Sequence, residues 1–146
     1  MPPITTSAEV NRPAQDVFAY ATDPTHFHEW QQGVVEGHLD QPGTPSVGTH
    51  CLTTRRIGGT NRSSTSEIVR INPPTTWSVR GIDGPIRAIV DVLVQPLAAD
   101  RSRLTIVVDF EGHGIGKLLV PLVIRREARK EMPTNVATLK QRLEHR

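Results

Sequence analysis

The chain is poor in cysteine, with Cys51 alone among its 146 residues. A single thiol excludes an internal disulfide and any metal site built from several thiolates. Such cysteine usage is typical of proteins in a reducing compartment, and we therefore expect a cytoplasmic protein.

Long hydrophobic runs are also missing. The longest run near the C-terminus covers residues 118–124, whereas a helix that crosses a bilayer needs about 20 apolar residues. The first residues do not combine a basic segment with an apolar one, as a secretion signal would. We expect a soluble protein with no transmembrane segment.

An excess of charge of one sign is absent as well, because 17 Lys and Arg residues face 15 Asp and Glu residues, for a net charge of +2. Proteins that bind nucleic acid usually carry a clear basic stripe, so we expect no nucleic-acid partner. The basic residues do form two local clusters. These are Arg55, Arg56 and Arg62, and then Arg125, Arg126, Arg129 and Lys130.

Motifs for metal binding and covalent catalysis are not found. His26 and His28 are the one close histidine pair, and their spacing does not match a zinc motif. Neither a serine-nucleophile elbow nor a phosphate-binding glycine loop occurs. His50 precedes Cys51 on a predicted strand, where adjacent side chains point to opposite faces, so an inert buried thiol is favoured. We predict no metal, no cofactor and no catalytic residue.

What the sequence does contain is a regular succession of short elements. Residues 4–10 are rich in β-branched types and predict a strand. A helix follows Pro13, and residues 25–31 predict a second short helix. Turn-forming residues then separate six more predicted strands, at 34–39, 48–57, 62–71, 76–82, 86–97 and 103–111. This spacing favours an antiparallel meander, and the length fits one domain over residues 1–146.

The later strands alternate strictly between apolar and polar side chains, which predicts one dry face. The apolar positions assigned to this dry face are Trp77, Val79, Val90, Val92, Ile106, Val108 and Phe110. Aromatic residues are only 4% of the chain, so Phe27, Trp30, Trp77 and Phe110 are the main large rings. Burial statistics favour core positions for them, although a ring in a partly filled pocket can also contact a ligand.

The remainder, from residue 116 to residue 144, predicts one long helix. Alternate steps of four and three give an amphipathic stripe with two arginines in its middle. Its members are Leu118, Leu122, Arg125, Arg129, Met132, Val136, Leu139 and Leu143.

The segment 9–24, followed by Phe27 and Trp30, resembles the N-terminal signature of the START-like (SRPBCC) superfamily, which includes polyketide cyclases/dehydrases and lipid-transport proteins. Further marks are Asn72-Pro73-Pro74 with Trp77, residues 103–105 and the end of the closing helix at residues 139–144. The resemblance implies an α+β helix-grip fold. In this fold a curved antiparallel sheet of six to seven strands wraps around a long C-terminal helix, and two short helices follow strand 1.

The resemblance also implies a ligand-binding hollow between sheet and helix. Phe27 and Trp30 would lie near its entrance, Leu118 and Leu122 would line it, and Arg125 or Arg129 would face a carboxylate, phosphate or enolate on an apolar ligand. The alternative is that both arginines lie on the solvated face and pair with Glu127 or Glu131.

Three functions remain open at this point. The first is binding of a small apolar, possibly acidic, molecule such as a lipid or polyketide. The second is a cyclase/aromatase- or dehydratase-like enzyme in which Arg125, Arg129, Thr53 or Arg80 polarises a carbonyl. The third is an interaction protein that docks on nucleic acid, a ribosome or an anionic membrane through its basic clusters. The oligomeric state is not defined by the sequence.

Overall fold

The structure, a computed structural model, describes residues 2–146. Seven strands and a C-terminal helix account for most of the chain. The strands are β1 (Ile4–Val10), β2 (Val34–Leu39), β3 (His50–Ile57), β4 (Thr60–Asn72), β5 (Thr76–Gly81), β6 (Ile86–Ala98) and β7 (Arg101–Gly112). The helices are α1 (Ala14–Ala21), α2 (Phe27–Trp30), α3 (Gly116–Leu119) and α4 (Arg125–Glu144).

The strands form one antiparallel sheet in the order β1-β7-β6-β5-β4-β3-β2. Consecutive strands are neighbours, except that β1 pairs with β7. Irregular register near Val34, Ile68 and Pro96 marks bulges. Bulges increase local twist and bend a strand, which lets a seven-stranded sheet curl. The predicted helix-grip fold is confirmed, with a curled sheet against a long C-terminal helix.

The short helices after β1 begin at prolines, whose fixed φ suits a first turn. Pro13 precedes α1, and Pro24 opens a 3₁₀ turn (Pro24–His26) that leads into α2. The side chain of Asp23 accepts a hydrogen bond from the Thr25 backbone at 3.0 Å and caps this turn. The turn therefore fixes the position from which α2 carries Phe27 and Trp30 into the core.

The C-terminal helix is continuous from residue 116 to residue 144 but changes its winding once. A π-helical turn (Val120–Ile124) separates α3 from α4, and the Arg125 backbone N–H bonds to the Val120 carbonyl five residues earlier. Pro121 lies in this turn and has no N–H to donate. The buried positions consequently step from Gly116 to Val120 to Arg125, rather than by four and three throughout.

Side-chain burial on the concave face decreases from one end of the sheet to the other. At the end where β7 begins, the concave side chains Val94, Leu104 and Ile106 are fully buried against Val136, Leu139 and Leu143 of α4. At the other end, Ala88, Val90 and Phe110 are only half-buried. We call these the closed end and the open end of the hollow, which is the space between the concave face and the C-terminal helix.

Within residues 2–146, no helix is both long and apolar enough to cross a membrane.

Candidate functional site

One wall of the hollow is apolar and comes from β5, β6 and β7. Directly paired residues in an antiparallel sheet share a face, and Trp77 pairs with Val92, Val79 with Val90, and Val90 with Val108. All the predicted apolar wall residues therefore lie on the concave face. Trp77, Val79, Val92, Ile106 and Val108 are buried, and Val90 and Phe110 are half-buried towards the open end.

An aromatic cluster connects this wall to α2. The rings of Phe27 and Trp77 meet edge-on with their centroids 6.4 Å apart, and those of Phe27 and Trp30 do so at 5.9 Å. The indole N–H of Trp30 is buried and has no hydrogen-bond partner among the described residues. Because an unpaired buried donor is costly, this N–H is available to an oxygen atom of a bound molecule.

The facing wall, from β3 and β4, is polar. Cys51, Thr53 and Arg55 alternate onto one face, and the buried Cys51 identifies it as the concave one. Thr53 pairs with Ser64, and Cys51 pairs with Ser66, so hydroxyl groups continue across to β4. A molecule in the hollow would therefore meet hydrocarbon on one side and hydroxyls on the other.

Arg55 is the cation of this wall. Protein surrounds most of its guanidinium, although some of its surface remains open to solvent, and the resulting desolvation lowers its pKa. Its Nη2 donates to Oε1 of Gln31 at 3.0 Å. Within the described residues this is the one hydrogen bond recorded for the side chain, and no carboxylate lies within ion-pair distance. A guanidinium can donate five N–H groups, so Arg55 retains capacity for a ligand.

Glu131 of α4 is the acidic residue whose charge acts on the Arg55 guanidinium. Burial raises the pKa of Glu131, the charge of Arg55 lowers it, and the charge of Glu127 raises it further. Four residues along α4, Asn135 is buried, and its Oδ1 accepts a hydrogen bond from the Gln32 backbone at 3.1 Å. This contact holds the segment that carries Gln31 against the helix.

Arg125 is buried and paired within the protein. Its Nη2 donates to Oδ1 of Asp109 and its Nη1 donates to the Pro2 carbonyl at 3.2 Å. The solvated alternative is wrong for this residue, because its partners are not Glu127 or Glu131. Its donors are used to attach the start of α4 to the edge of the sheet. A ligand contact at Arg125 stays a prediction that this pairing does not favour.

Three further helix positions of the predicted stripe are exposed. Leu118 and Leu122 have exposed fractions of 66% and 69%, and Arg129 is also exposed. The π-helical turn explains the error at Leu118 and Leu122, because one extra residue per turn rotates the helix before it relative to α4. Arg129 lies within α4 and is exposed independently of this turn. Downstream of the turn the stripe is confirmed at Val136, Leu139 and Leu143. Ligand contacts at Leu118, Leu122 and Arg129 stay predictions that this placement does not favour.

Arg80 also lies outside the hollow. It is exposed, and its guanidinium pairs with the Glu111 carboxylate on the outer surface of the sheet. Arg80 follows Val79 on β5, so alternation places it on the opposite face. The carbonyl-polarising role considered for Arg80 therefore has no support from its position.

The sequence interpretation did not place Arg55 at the candidate site. It groups Arg55 with Arg56 and Arg62 as a basic surface cluster, whereas Arg55 lies on the same face of β3 as Thr53 and Cys51. The sequence does contain a signal for this placement, because Cys51, Thr53 and Arg55 occupy alternate positions of a predicted strand and therefore share a face. Gln31 and Glu131 carried no comparable signal, since their approach to Arg55 depends on tertiary packing.

The Cys51 thiol is not activated as a nucleophile. Burial, and to a smaller extent the Asp40 charge, raises its pKa to about 11, so very little thiolate exists near neutral pH. In the part of the chain that the structure describes, no group of three or more His, Cys, Asp or Glu side chains could hold a metal ion.

A separate groove of about 570 Å³ lies on the outside of the molecule, against the C-terminal end of α4. Its lining residues are Tyr20, Glu29, Thr138, Gln141, Arg142, His145 and Arg146. The Tyr20 hydroxyl already donates to Glu29 at 2.9 Å, and the Arg146 guanidinium lies over the Tyr20 ring. Because Tyr20, Glu29 and Arg146 already interact with one another, we place the candidate site in the hollow and not in this groove.

The curled antiparallel sheet and the long C-terminal helix against it define a START-like protein. The profile of the family described as "Polyketide cyclase / dehydrase and lipid transport" matches residues 1–144. The chain belongs to this family, as the sequence resemblance predicted. No curated protein sequence is similar enough to this chain to count as a match.

Solved structures share the fold at low sequence identity. The Zhui aromatase/cyclase from Streptomyces sp. R1128 aligns with a TM-score of 0.80 and 13% identity over 99% of this chain and 94% of its own. A START superfamily protein from Mycobacterium smegmatis aligns with a TM-score of 0.73 and 14% identity over 99% of both chains.

The di-domain ARO/CYC BexL from the BE-7585A biosynthetic pathway aligns with a TM-score of 0.76 and 16% identity. The alignment covers 99% of this chain but 47% of BexL, so the chain spans about half the length of that protein. At such identities these likenesses establish the fold and leave the activity to be argued from the site.

Proposed function

We propose that this protein binds a small, mostly apolar molecule in the hollow, with an acidic or enolate oxygen of that molecule paired to Arg55. The observation that carries the proposal is a desolvated guanidinium with one neutral hydrogen-bond partner, facing an apolar wall. Mostly apolar walls with a few convergent polar groups are the usual composition of small-molecule sites.

The first test is native mass spectrometry of the gently purified protein, followed by organic extraction of whatever is released. We expect a stoichiometric apolar molecule that carries a carboxylate, phosphate or enolisable carbonyl. Recovery of a bound molecule with no acidic or carbonyl oxygen would contradict the part of the proposal that concerns Arg55.

Substitution of Arg55 tests that part directly. Arg55→Met should weaken binding of cis-parinaric acid, a fluorescent fatty acid, by about tenfold to a hundredfold, because a hydrogen bond to a charged group is lost. Binding of the methyl ester of the same probe should change far less, since the ester cannot form an ion pair. Fluorescence titration at equilibrium measures both affinities.

Arg62→Met is the matched control. Arg62 pairs directly with Arg55 across the strands but is exposed. The substitution Arg62→Met therefore removes the same charge from the protein and leaves the partly enclosed Arg55 side chain in place. If Arg62→Met weakens binding of the acid as much as Arg55→Met does, long-range charge accounts for the effect and Arg55 has no specific role.

A cyclase-like activity is the second candidate, and one observation favours it. The Arg55 guanidinium and the Thr53 hydroxyl, both half-buried, lie on one wall, where they could stabilise a developing enolate. Incubation with a linear poly-β-ketone thioester, followed by product analysis, tests it. Tight binding without any turnover would indicate a binding protein and not an enzyme. Cyclisation that Arg55→Met abolishes would establish an enzyme.

A further inference from the structure

The open end of the hollow is surrounded by exposed apolar side chains that contribute nothing to the core. They come from the β3–β4 turn, the β5–β6 turn and the start of the C-terminal helix. We call them the apolar rim: Ile57, Ile82, Ile115, Leu118, Leu122 and Val123. Ile115, Leu118 and Leu122 have exposed fractions of 65%, 66% and 69%. Their spacing of three and four residues makes them neighbours on the helix surface, and exposed apolar groups of this kind often mark an interaction site.

Strand directions place these segments at the same end of the sheet. β3 ends where β4 begins, at the paired residues Ile57 and Thr60. β6 begins opposite the end of β7, where Ile86 pairs with Gly112. The His113 N–H donates to the Pro85 carbonyl at 2.8 Å, and Gly116 packs so closely on that carbonyl that a Cβ there would collide with it. The helix start is therefore fixed beside the β5–β6 turn.

A basic collar lies next to the apolar rim. Its members are Arg56, Arg62, Lys117, Arg126, Arg129 and Lys130, all exposed. The acidic residues in the same segments are Asp83, which already accepts a hydrogen bond from the Thr65 backbone at 2.9 Å, the exposed Glu127 and the half-buried Glu131. The basic residues of the collar outnumber them, so the local charge is positive.

We propose that the open end docks on an anionic membrane surface, with the apolar rim in the interfacial layer and the basic collar against lipid phosphates. Helix geometry fits this arrangement, because Arg126 and Lys130 lie about 6 and 12 Å along the axis from Leu122. Interfacial apolar side chains are typically buried about 5–10 Å below the head groups. Docked in this way, the hollow opens towards the lipid, so an apolar ligand passes between protein and membrane without crossing water.

A second copy of the chain fits the same surface less well. Two open ends brought together would place one basic collar against another, and such like-charge contact is unfavourable. Membrane docking goes beyond the proposed function and does not depend on it, because ligand affinity is measured separately.

Vesicle flotation tests the proposal. The protein is mixed with vesicles of phosphatidylcholine alone, or of phosphatidylcholine with phosphatidylglycerol, and the bound fraction is measured. We expect binding to the mixed vesicles, and a loss of about tenfold or more in the variant Leu118→Gln with Leu122→Gln, because two apolar side chains no longer enter the interface. The matched control is Leu93→Gln with Leu97→Gln, two exposed leucines of β6 away from the open end.

The basic collar is tested with Arg126→Gln and Lys130→Gln. A basic residue near an anionic surface contributes about a fivefold gain in affinity, so the pair should lose about twenty-fivefold. Added salt should weaken binding of the unchanged protein, because exposed charges are screened. Thermal unfolding and cis-parinaric acid titration of each variant confirm that folding and ligand binding are intact.

Four results would overturn the proposal. One is the absence of binding to the mixed vesicles. The second is equal binding to both vesicle types, and the third is an equal loss in the β6 control. The fourth is a concentration-dependent dimer in sedimentation that Leu118→Gln with Leu122→Gln abolishes, which would make the apolar rim a self-association surface.

Discussion

Arg55 and Arg125 are both withdrawn from bulk water, but they have different partners. Arg125 meets a carboxylate and a backbone carbonyl of the protein itself. Arg55 meets a neutral amide, with the acidic Glu131 acting on it from α4 without a direct ion pair among the described residues. A satisfied arginine stabilises the fold, whereas an incompletely paired one is available for recognition.

We expect Arg125→Met to separate these two roles. The variant leaves the half-buried Asp109 carboxylate without its cation, and breaking such a pair costs about 3 kcal/mol of unfolding free energy. Affinity for cis-parinaric acid should not change in the folded protein. Denaturant unfolding and fluorescence titration give the two quantities.

The exposed neighbour Arg126 supplies the matched control, since Arg126→Met removes the same charge with little effect on stability. A large fall in ligand affinity for Arg125→Met, with stability unchanged, would instead support the role that the sequence first suggested for Arg125.

At the scale of single residues, sequence alternation predicted burial better than it predicted partners. Val92, Ile106 and Trp77 lie on the concave face as expected. Period-two alternation also predicts that Arg55 shares the face of Cys51 and Thr53, but its charged neighbours Arg56 and Arg62 led to its assignment to a surface cluster. The pairing of Arg125 with Asp109 could not be predicted, because it depends on where the helix meets the edge of the sheet.

At the scale of elements, the C-terminal helix is where periodicity succeeded in one part and failed in another. A regular period holds in the second half of α4, where the predicted residues Val136, Leu139 and Leu143 are buried. It fails across the π-helical turn, where the N–H of Arg125 reaches back five residues. Pro121 marks this place in the sequence, but a proline near a helix start is also compatible with an ordinary first turn.

The far end of α4 is attached to the start of the chain through Glu144. Its Oε2 accepts hydrogen bonds from the Asn11 backbone at 2.8 Å and from Lys140 Nζ at 3.0 Å. The Asn11 N–H, followed by Lys140, lowers the pKa of Glu144 below its ordinary value. Lys140 also donates to the Glu9 carbonyl at 2.6 Å, so the two ends of the chain are joined at several points.

We expect Glu144→Gln to lower stability by about 1 kcal/mol at neutral pH, because charge-assisted hydrogen bonds are weakened. The pKa is depressed in the folded state, so the stabilisation is present above the unfolded pKa of about 4.3 and is lost as pH falls through the folded pKa. The difference between the two proteins should therefore shrink in acid. Urea unfolding across this pH range measures it, with the exposed Glu36→Gln as control. A difference that is independent of pH would show that the carboxylate charge contributes nothing.

At the scale of the whole molecule, the fold divides stability and binding between its two ends. The closed end is packed by fully buried side chains from the sheet and α4, whereas the concave face at the open end is half-buried. The helix-grip architecture was predicted from the order of elements and from the family resemblance. The grading of burial could not be predicted, because strand alternation gives the face of a residue and not its depth.

This division predicts opposite effects for two substitutions. Leu139 is fully buried at the closed end, so Leu139→Ala should cost about 3 kcal/mol of unfolding free energy while leaving the affinity of the folded protein for cis-parinaric acid unchanged. Phe110 is half-buried at the open end, so Phe110→Ala should cost less stability and weaken binding, because a bound molecule loses part of its apolar wall. Denaturant unfolding and titration at a temperature where both variants are folded compare them. If Phe110→Ala destabilises the protein as much as Leu139→Ala and binding is unaffected, the open end is filled core and the hollow is not a ligand site.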